Sequence, residues 1–306
     1  MIEPFYAQSS QKVKQKDLEE LTSKLQNKIA LLTGMGNISE KDIENILHDY
    51  SQKILQMTGG KELLNYASGC SFLKILSDKD IPDPFLELLP LNDSFLGIEI
   101  PTTRILLNHR PEISNSFSKP RILFIGTKKP SPNLTYIETE RHNISRLSQN
   151  YSIEHYEETD SISDLIRKVE RADAVHFCGH SSTENGKSVF QLNGSESIYL
   201  DENQIKNRLK SPPRIIWMNS CISAGSKDSL GWAETFLNSR VRTFIGYKSQ
   251  IDDKYAYDSS FTFYYNFYIG ESVGDAFLKV KKRLHRNGSA NWINMMMYGD
   301  CQQRIK

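Results

Sequence analysis

RIIWMNSCISAG, residues 214–225, opens as one kind of element and closes as another. Ile215, Ile216, Trp217 and Met218 form the short apolar run of a strand covered on both faces. Where that strand should stop comes Asn219-Ser220-Cys221, followed by the small-residue loop Ile222-Ser223-Ala224-Gly225. Upstream, ADAVHFCGHSS (172–182) has the same plan, an apolar strand with His180 just past Gly179.

Around these two segments the hydrophobic period alternates. RILFIGT (121–127), YSIEHY (151–156), ADAVHF (172–177), RIIWMN (214–219) and VRTFIGY (241–247) read as strands. Helical patterns cover 138–149, 162–170, 202–209, 228–237, 255–269 and 272–285, and KSVFQLNGSESIYL (187–200) reads as a hairpin. Alternating strands and helices with apolar strands predict an α/β fold with a mostly parallel sheet flanked by helices. Ligands of such sheets bind outside the carboxyl ends of the strands. His180 and Cys221 both fall at such ends, so two strands of one sheet can bring them together.

The first 80 residues differ. Leu18, Leu21, Leu25, Ile29 and Leu32 fall at helical spacing, as do Ile43, Ile46, Tyr50, Ile54 and Met57, with the turn GMGN (34–37) and the helix start Ser39–Asp42 between them. A third helix is expected over 63–76. This helical hairpin, packed on the main domain or free to bind a partner, precedes a domain at 81–306. Residues 81–107 suggest strands of an edge or accessory sheet, and HRPEISNSFSKP (109–120) a linker.

With Lys+Arg 38 against Asp+Glu 37, the net charge of +1 gives no field for nucleic acid or an anionic membrane. The basic run KVKKRLHR (279–286) suits the solvated end of a helix. There is no apolar segment of membrane-spanning length and no signal core, so a cytoplasmic, reducing compartment is expected. Cys70, Cys178, Cys221 and Cys301 are then thiols or ligands rather than a disulfide frame.

A thiol and an imidazole at neighbouring strand ends suit acyl transfer. The thiolate attacks, the imidazole carries the proton, and backbone N–H groups in small-residue turns hold the oxyanion. Gly179, Ser181 and Ser220 are small enough to admit a substrate backbone. A zinc set of His176, Cys178, His180 and Cys221 is the competing reading. Side chains four apart on a strand lie roughly 13 Å apart, so it requires a sharp turn at Gly179.

HFCGHS (176–181) and WMNSCISAG (217–225) resemble the His and Cys motifs of CHAT-domain peptidases, caspase-like cysteine proteases of the clan that includes separase and metacaspases. Residues 81–107, 121–147, 244–284 and MMYGD (296–300) are similar to further family segments in the same order. The sequence departs at Ser181 for the usual Gly, at Phe85-Leu86 and Ser249 for Trp, and at Cys301 for the closing Pro. The resemblance implies Cys221 as nucleophile and His180 as general base, with the backbone at Gly179 and Ser181 in the oxyanion hole. It implies Asp252 and Asp253 in a pocket for a basic P1 side chain, although both also suit a helix cap. It further implies a protein substrate, no cofactor, no metal, activation by a partner or effector through loops 182–188 and 223–229, and a place in bacterial defence. A non-catalytic scaffold that binds a partner through its N-terminal helices is the alternative.

Overall fold

The computed structural model describes residues 15–34, 39–58, 61–77, 85–106, 120–147, 152–156, 160–196, 198–225 and 230–305. Three helices lead: α1 (Gln15–Gly34), α2 (Glu40–Thr58) and α3 (Lys61–Ala67). Leu21, Leu25, Ile43, Leu47 and Ile54 bury the inner stripe of the first two, and α2 packs on the 3-10 turn Leu86–Leu88. The hairpin is thus docked on the main body. Its connecting turn, like the 109–119 part of the expected linker, lies outside the described residues.

The third helix is shorter than its apolar spacing suggests. It ends at Ala67, and β1 (Leu73–Ser77) follows as a strand. Ser68-Gly69 breaks the helical run, and Leu73–Ser77 pairs in parallel with β4 (Thr102–Leu106). Between them lie β2 (Pro90–Leu91), β3 (Ser94–Phe95) and α4 (Leu96–Glu99). Only β2 and β3 form an accessory hairpin, while β4 belongs to the main sheet.

The alternating part runs β5 (Arg121–Gly126), α5 (Ile137–Arg146), β6 (Ser152–His155), α6 (Ile162–Arg171) and β7 (Ala174–Cys178). An antiparallel excursion of β8 (Ser181–Glu184), β9 (Lys187–Asn193) and β10 (Ile198–Asp201) follows, then α7 (Glu202–Arg208), β11 (Ile215–Asn219), α8 (Trp232–Asn238) and β12 (Thr243–Tyr247). The chain closes with α9 (Asp253–Tyr268), α10 (Val273–Arg286), α11 (Asn291–Asn294) and β13 (Met295–Gly299). Segment 182–188, expected as a loop, is the β8–β9 hairpin with its turn at Asn185-Gly186.

The main sheet has eight strands in the order β1-β4-β13-β12-β11-β7-β5-β6. β6 to β12 run parallel, β13 is antiparallel to β12, and β4 and β1 run with β13. The expected mostly parallel sheet therefore has one antiparallel joint. Helices cover both faces, which is why β7, β11, β12 and β13 are buried at every residue. On β7, His176 and Cys178 meet Glu140 of α5, while Phe177 turns the other way to Phe236 of α8. The chain leaves β5 towards β6 and returns to β7 on its other side. The crevice between β5 and β7 is therefore the point at which the strand order reverses, where open α/β sheets bind ligands.

Candidate active site

Strands β7 and β11 are parallel neighbours, with Cys178 opposite Asn219. His180 and Cys221 each lie two residues beyond that last pair, so both stand on the carboxyl rim of the sheet at adjacent strand ends. Ser181 ties the two lips together: its hydroxyl bonds the Cys221 carbonyl and the Ser220 hydroxyl, the latter at 2.9 Å. The serine that replaces the usual glycine thus cross-links the segments that carry the thiol and the imidazole.

The chain breaks sharply at both ends. Gly179 has φ 155°, and a Cβ there would lie 1.7 Å from Thr127 Oγ1, so only glycine lets the backbone turn past β5 to present His180. Its N–H donates to the Asn219 carbonyl at 3.4 Å. On the other lip Ile222 holds φ 55°, a conformation that a β-branched residue adopts at a cost of about 1–3 kcal/mol. The surrounding bonds over-determine it. Ile222 N–H donates to the Ser249 carbonyl, Ala224 N–H donates to the Tyr247 carbonyl, and Ser223 Oγ bonds the Met218 and Ser220 carbonyls at 2.9 Å each.

His180 is half-buried, and its Nε2 lies 2.6 Å from the Pro132 carbonyl. A carbonyl only accepts, so Nε2 carries the proton and a neutral ring keeps its lone pair on Nδ1. The Cys221 sulfur rests 3.8 Å from the Ile251 carbonyl. Asp252, next in sequence, is exposed; it caps α9, accepting from Lys254 N–H at 2.9 Å. Asp253 turns its carboxylate to the N–H groups of Thr135 and Tyr136.

Burial pushes the Cys221 thiol above its ordinary range, so the resting sulfur is protonated. Iodoacetamide should therefore modify Cys221 more slowly than the exposed Cys70 at neutral pH, and the rate should climb as the pH is raised through the alkaline range. Peptide mass spectrometry after timed labelling reads both. Equal rates at neutral pH would contradict a shielded, protonated thiol. Burial, reinforced by the Glu140 carboxylate, holds Cys178 well up, and burial takes Cys301 up to about 11.

The four-residue zinc set does not gather. Among the described residues, the one group of three or more His, Cys, Asp or Glu able to share an ion is Glu140, His176 and Cys178, with ligand atoms within 4.8 Å of one another. Those atoms already bond one another. His176 Nε2–H donates to Glu140 Oε1 at 2.7 Å, Asn219 Nδ2–H to the same oxygen at 2.7 Å, and the Cys178 thiol to Oε2 at 3.1 Å. A zinc ligand would have to be the thiolate, which this environment opposes.

This network supports the site, and Glu140 was not among the residues singled out from the sequence. From α5 it anchors the last residues of both β7 and β11, two residues before His180 and Cys221. The sequence does carry a signal. Ile137, Glu140 and Ile144 share the buried stripe of the helix, and a carboxylate on such a stripe must have partners. Pro132, which contributes only its carbonyl, leaves no such trace.

The CHAT domain family matches residues 97–300, well over half of the 306-residue chain. No curated protein matches it in sequence. Among solved structures, the chain is similar to the Arg-specific cysteine proteinase gingipain R (RgpB) of Porphyromonas gingivalis, with TM-score 0.56, 11% identity, and 98% of this chain and 80% of that one covered. It is also similar to separase in the Saccharomyces cerevisiae separase–securin complex, with TM-score 0.51, 13% identity, and 97% of this chain covered but only 23% of that one. The strand order, the rim that carries His180 and Cys221, and the matched span agree: the chain belongs to the CHAT domain family and has the fold of the caspase-like cysteine peptidases.

Proposed function

We propose that the protein is a cysteine endopeptidase in which Cys221 is the nucleophile and His180 the acid–base residue. The observation that carries this reading is the register of β7 against β11, whose last pair lies two residues before each of them at adjacent strand ends. The strained turn at Ile222 adds support, since such strain persists where function requires it. His180 Nδ1 takes the thiol proton as the sulfur attacks the scissile carbonyl carbon. The tetrahedral oxyanion is held by backbone N–H groups of the rim, those of Ser181 and Cys221 in the first place, with Gly179 giving the room. The imidazolium returns its proton to the leaving amine. Water, activated by the neutral ring, then hydrolyses the thioester and frees the sulfur.

The substrate is a protein cleaved after Arg or Lys. Asp252 supports this assignment: its exposed carboxylate follows the Ile251 carbonyl that touches the Cys221 sulfur, and only one of its oxygens is engaged in the cap. The fold shared with an enzyme described as Arg-specific points the same way. Activation by a partner, an effector or the substrate itself is part of this reading: the Cys221 sulfur is half-buried against the Ile251 carbonyl, and a rearranged rim would open it to substrate. That same observation is the one that favours a non-catalytic scaffold as the second reading, in which the docked α1–α2 hairpin offers the binding surface. No helix among the described residues is long and apolar enough to cross a membrane.

The deciding experiment digests a peptide library with wild type and Cys221→Ala, with and without proteins encoded beside this one. Cleavage after basic residues that vanishes in the variant is expected. Cleavage that survives Cys221→Ala would remove Cys221 as the nucleophile, and Cys221-dependent cleavage with no basic preference would remove Asp252 from the pocket.

A further inference from the structure

His180 is held by a chain of contacts that ends on a different helix. Its Nε2–H donates to the Pro132 carbonyl, in the segment between β5 and α5. That segment is fixed at two points. On one side the Gln191 side chain brackets Ser131, whose N–H donates to Oε1 at 3.1 Å while Nε2–H donates to the Ser131 carbonyl at 3.3 Å. The backbone N–H of Gln191 donates to the His180 carbonyl at 2.9 Å, so β9 holds both the histidine's own main chain and the loop that touches its ring. On the other side Asp253 Oδ2 accepts from Thr135 N–H at 2.6 Å and Tyr136 N–H at 3.0 Å. Tyr136 also stacks on Tyr257 of α9, with ring centroids 5.4 Å apart.

A carboxylate that accepts two backbone N–H groups makes charge-assisted bonds, stronger than neutral ones. The loop is therefore clamped between an amide on β9 and a carboxylate at the start of α9, with the Pro132 carbonyl between them. We infer that Asp253 is a positioning residue for His180: through Thr135 and Tyr136 it sets the Pro132 carbonyl, and so holds the imidazole as the Nε2–H tautomer with Nδ1 turned to proton transfer. The inference rests on the Cys221–His180 reading above. It takes Asp253 out of the P1 pocket and leaves Asp252 as the acid for a basic side chain.

The test compares Asp253→Ala and Asp253→Asn by two measurements. The first is a long-range proton–nitrogen spectrum of His180 near neutral pH, recorded in the Cys221→Ala background so that it needs no peptide cleavage. The intact protein should show Nε2 as the protonated nitrogen of the neutral ring, and Asp253→Ala a mixture of tautomers. Asp253→Asn, whose amide oxygen still accepts but without charge, should lie between. The second is kcat against KM for an Arg peptide. Loss of orientation at the base lowers kcat by about tenfold or more and leaves KM within about twofold. A His180 spectrum unchanged in both variants overturns the clamp, and it overturns it twice over if KM for basic peptides rises, since the carboxylate then faces substrate. If Asp253→Ala does not fold, Asp253→Asn gives the same readings. Absence of cleavage by the wild type both with and without the proteins encoded beside it would sink the peptidase reading and leave the tautomer result standing on its own.

Discussion

Cys221→Ala should remove peptide cleavage, a loss on the order of 10⁶-fold in kcat, because under the proposed mechanism it truncates the nucleophile of a coupled pair and leaves only binding and oxyanion stabilisation. The fold should hardly notice. The sulfur is half-buried, and its one described hydrogen bond is the long contact to Ile251, so thermal unfolding should shift by no more than a few degrees. His180→Ala should remove the proposed proton carrier and lower kcat by roughly 10²–10⁴-fold. The double variant should be no slower than Cys221→Ala, since the two side chains act on one proton. Cys70→Ala, an exposed cysteine, is the control and should cleave like wild type. Single-turnover assays with a fluorogenic Arg peptide, beside melting curves, check all four. Additive losses from the two site variants would mean that thiol and imidazole do not work as a unit, and the adjacency of their strand ends would then be architectural.

The rim was legible in the sequence because parallel strands buried on both faces cannot alternate. Ile215–Met218 had to be a continuous apolar run and Ala174–Phe177 a run broken only by His176, which Glu140 satisfies, so the reactive residues had to sit past their ends. What stayed hidden depended on partners rather than period. Met295–Gly299 has no β-branched residue and is a strand because Tyr247 to Thr243 pairs along it antiparallel. Residues 73–77 continue an apolar spacing that began as a helix, and only the open edge of β4 makes them a strand. Asp252 was legible as a cap. Asp253 was not legible as a loop clamp, because Thr135 and Tyr136 lie more than a hundred residues earlier and have no feature that asks for a carboxylate. The same is true of Glu140: its helical stripe marks it as buried, but only the fold reveals that Asn219, His176 and Cys178 are its partners.

Glu87→Ala should be the most damaging substitution away from the rim. Glu87, Arg104 and Lys281 are each only 1% exposed. Arg104 grips the carboxylate with both Nη atoms, one of them 2.7 Å from Oε2, and Lys281 Nζ stands 4.0 Å from Oε1. The three join the turn after Phe85, strand β4 and helix α10, so one carboxylate holds the chain's opening segment to the sheet and its covering helix. Taking it away removes a carboxylate that two buried cations share. Breaking such a pair costs about 3–5 kcal/mol, equivalent to a fall of roughly 5–8 °C in Tm for a chain of this length. Glu87→Gln keeps the shape and loses the charge, so it should fall between. The penalty should come from the lost negative charge and not from lost volume. The triple variant Glu87→Leu, Arg104→Met, Lys281→Leu separates the two, since an apolar trio of similar size is often neutral or stabilising in place of a buried ion cluster. A triple variant as unstable as Glu87→Ala would show that hydrogen-bond geometry, rather than the charge of Glu87, is what the cluster supplies.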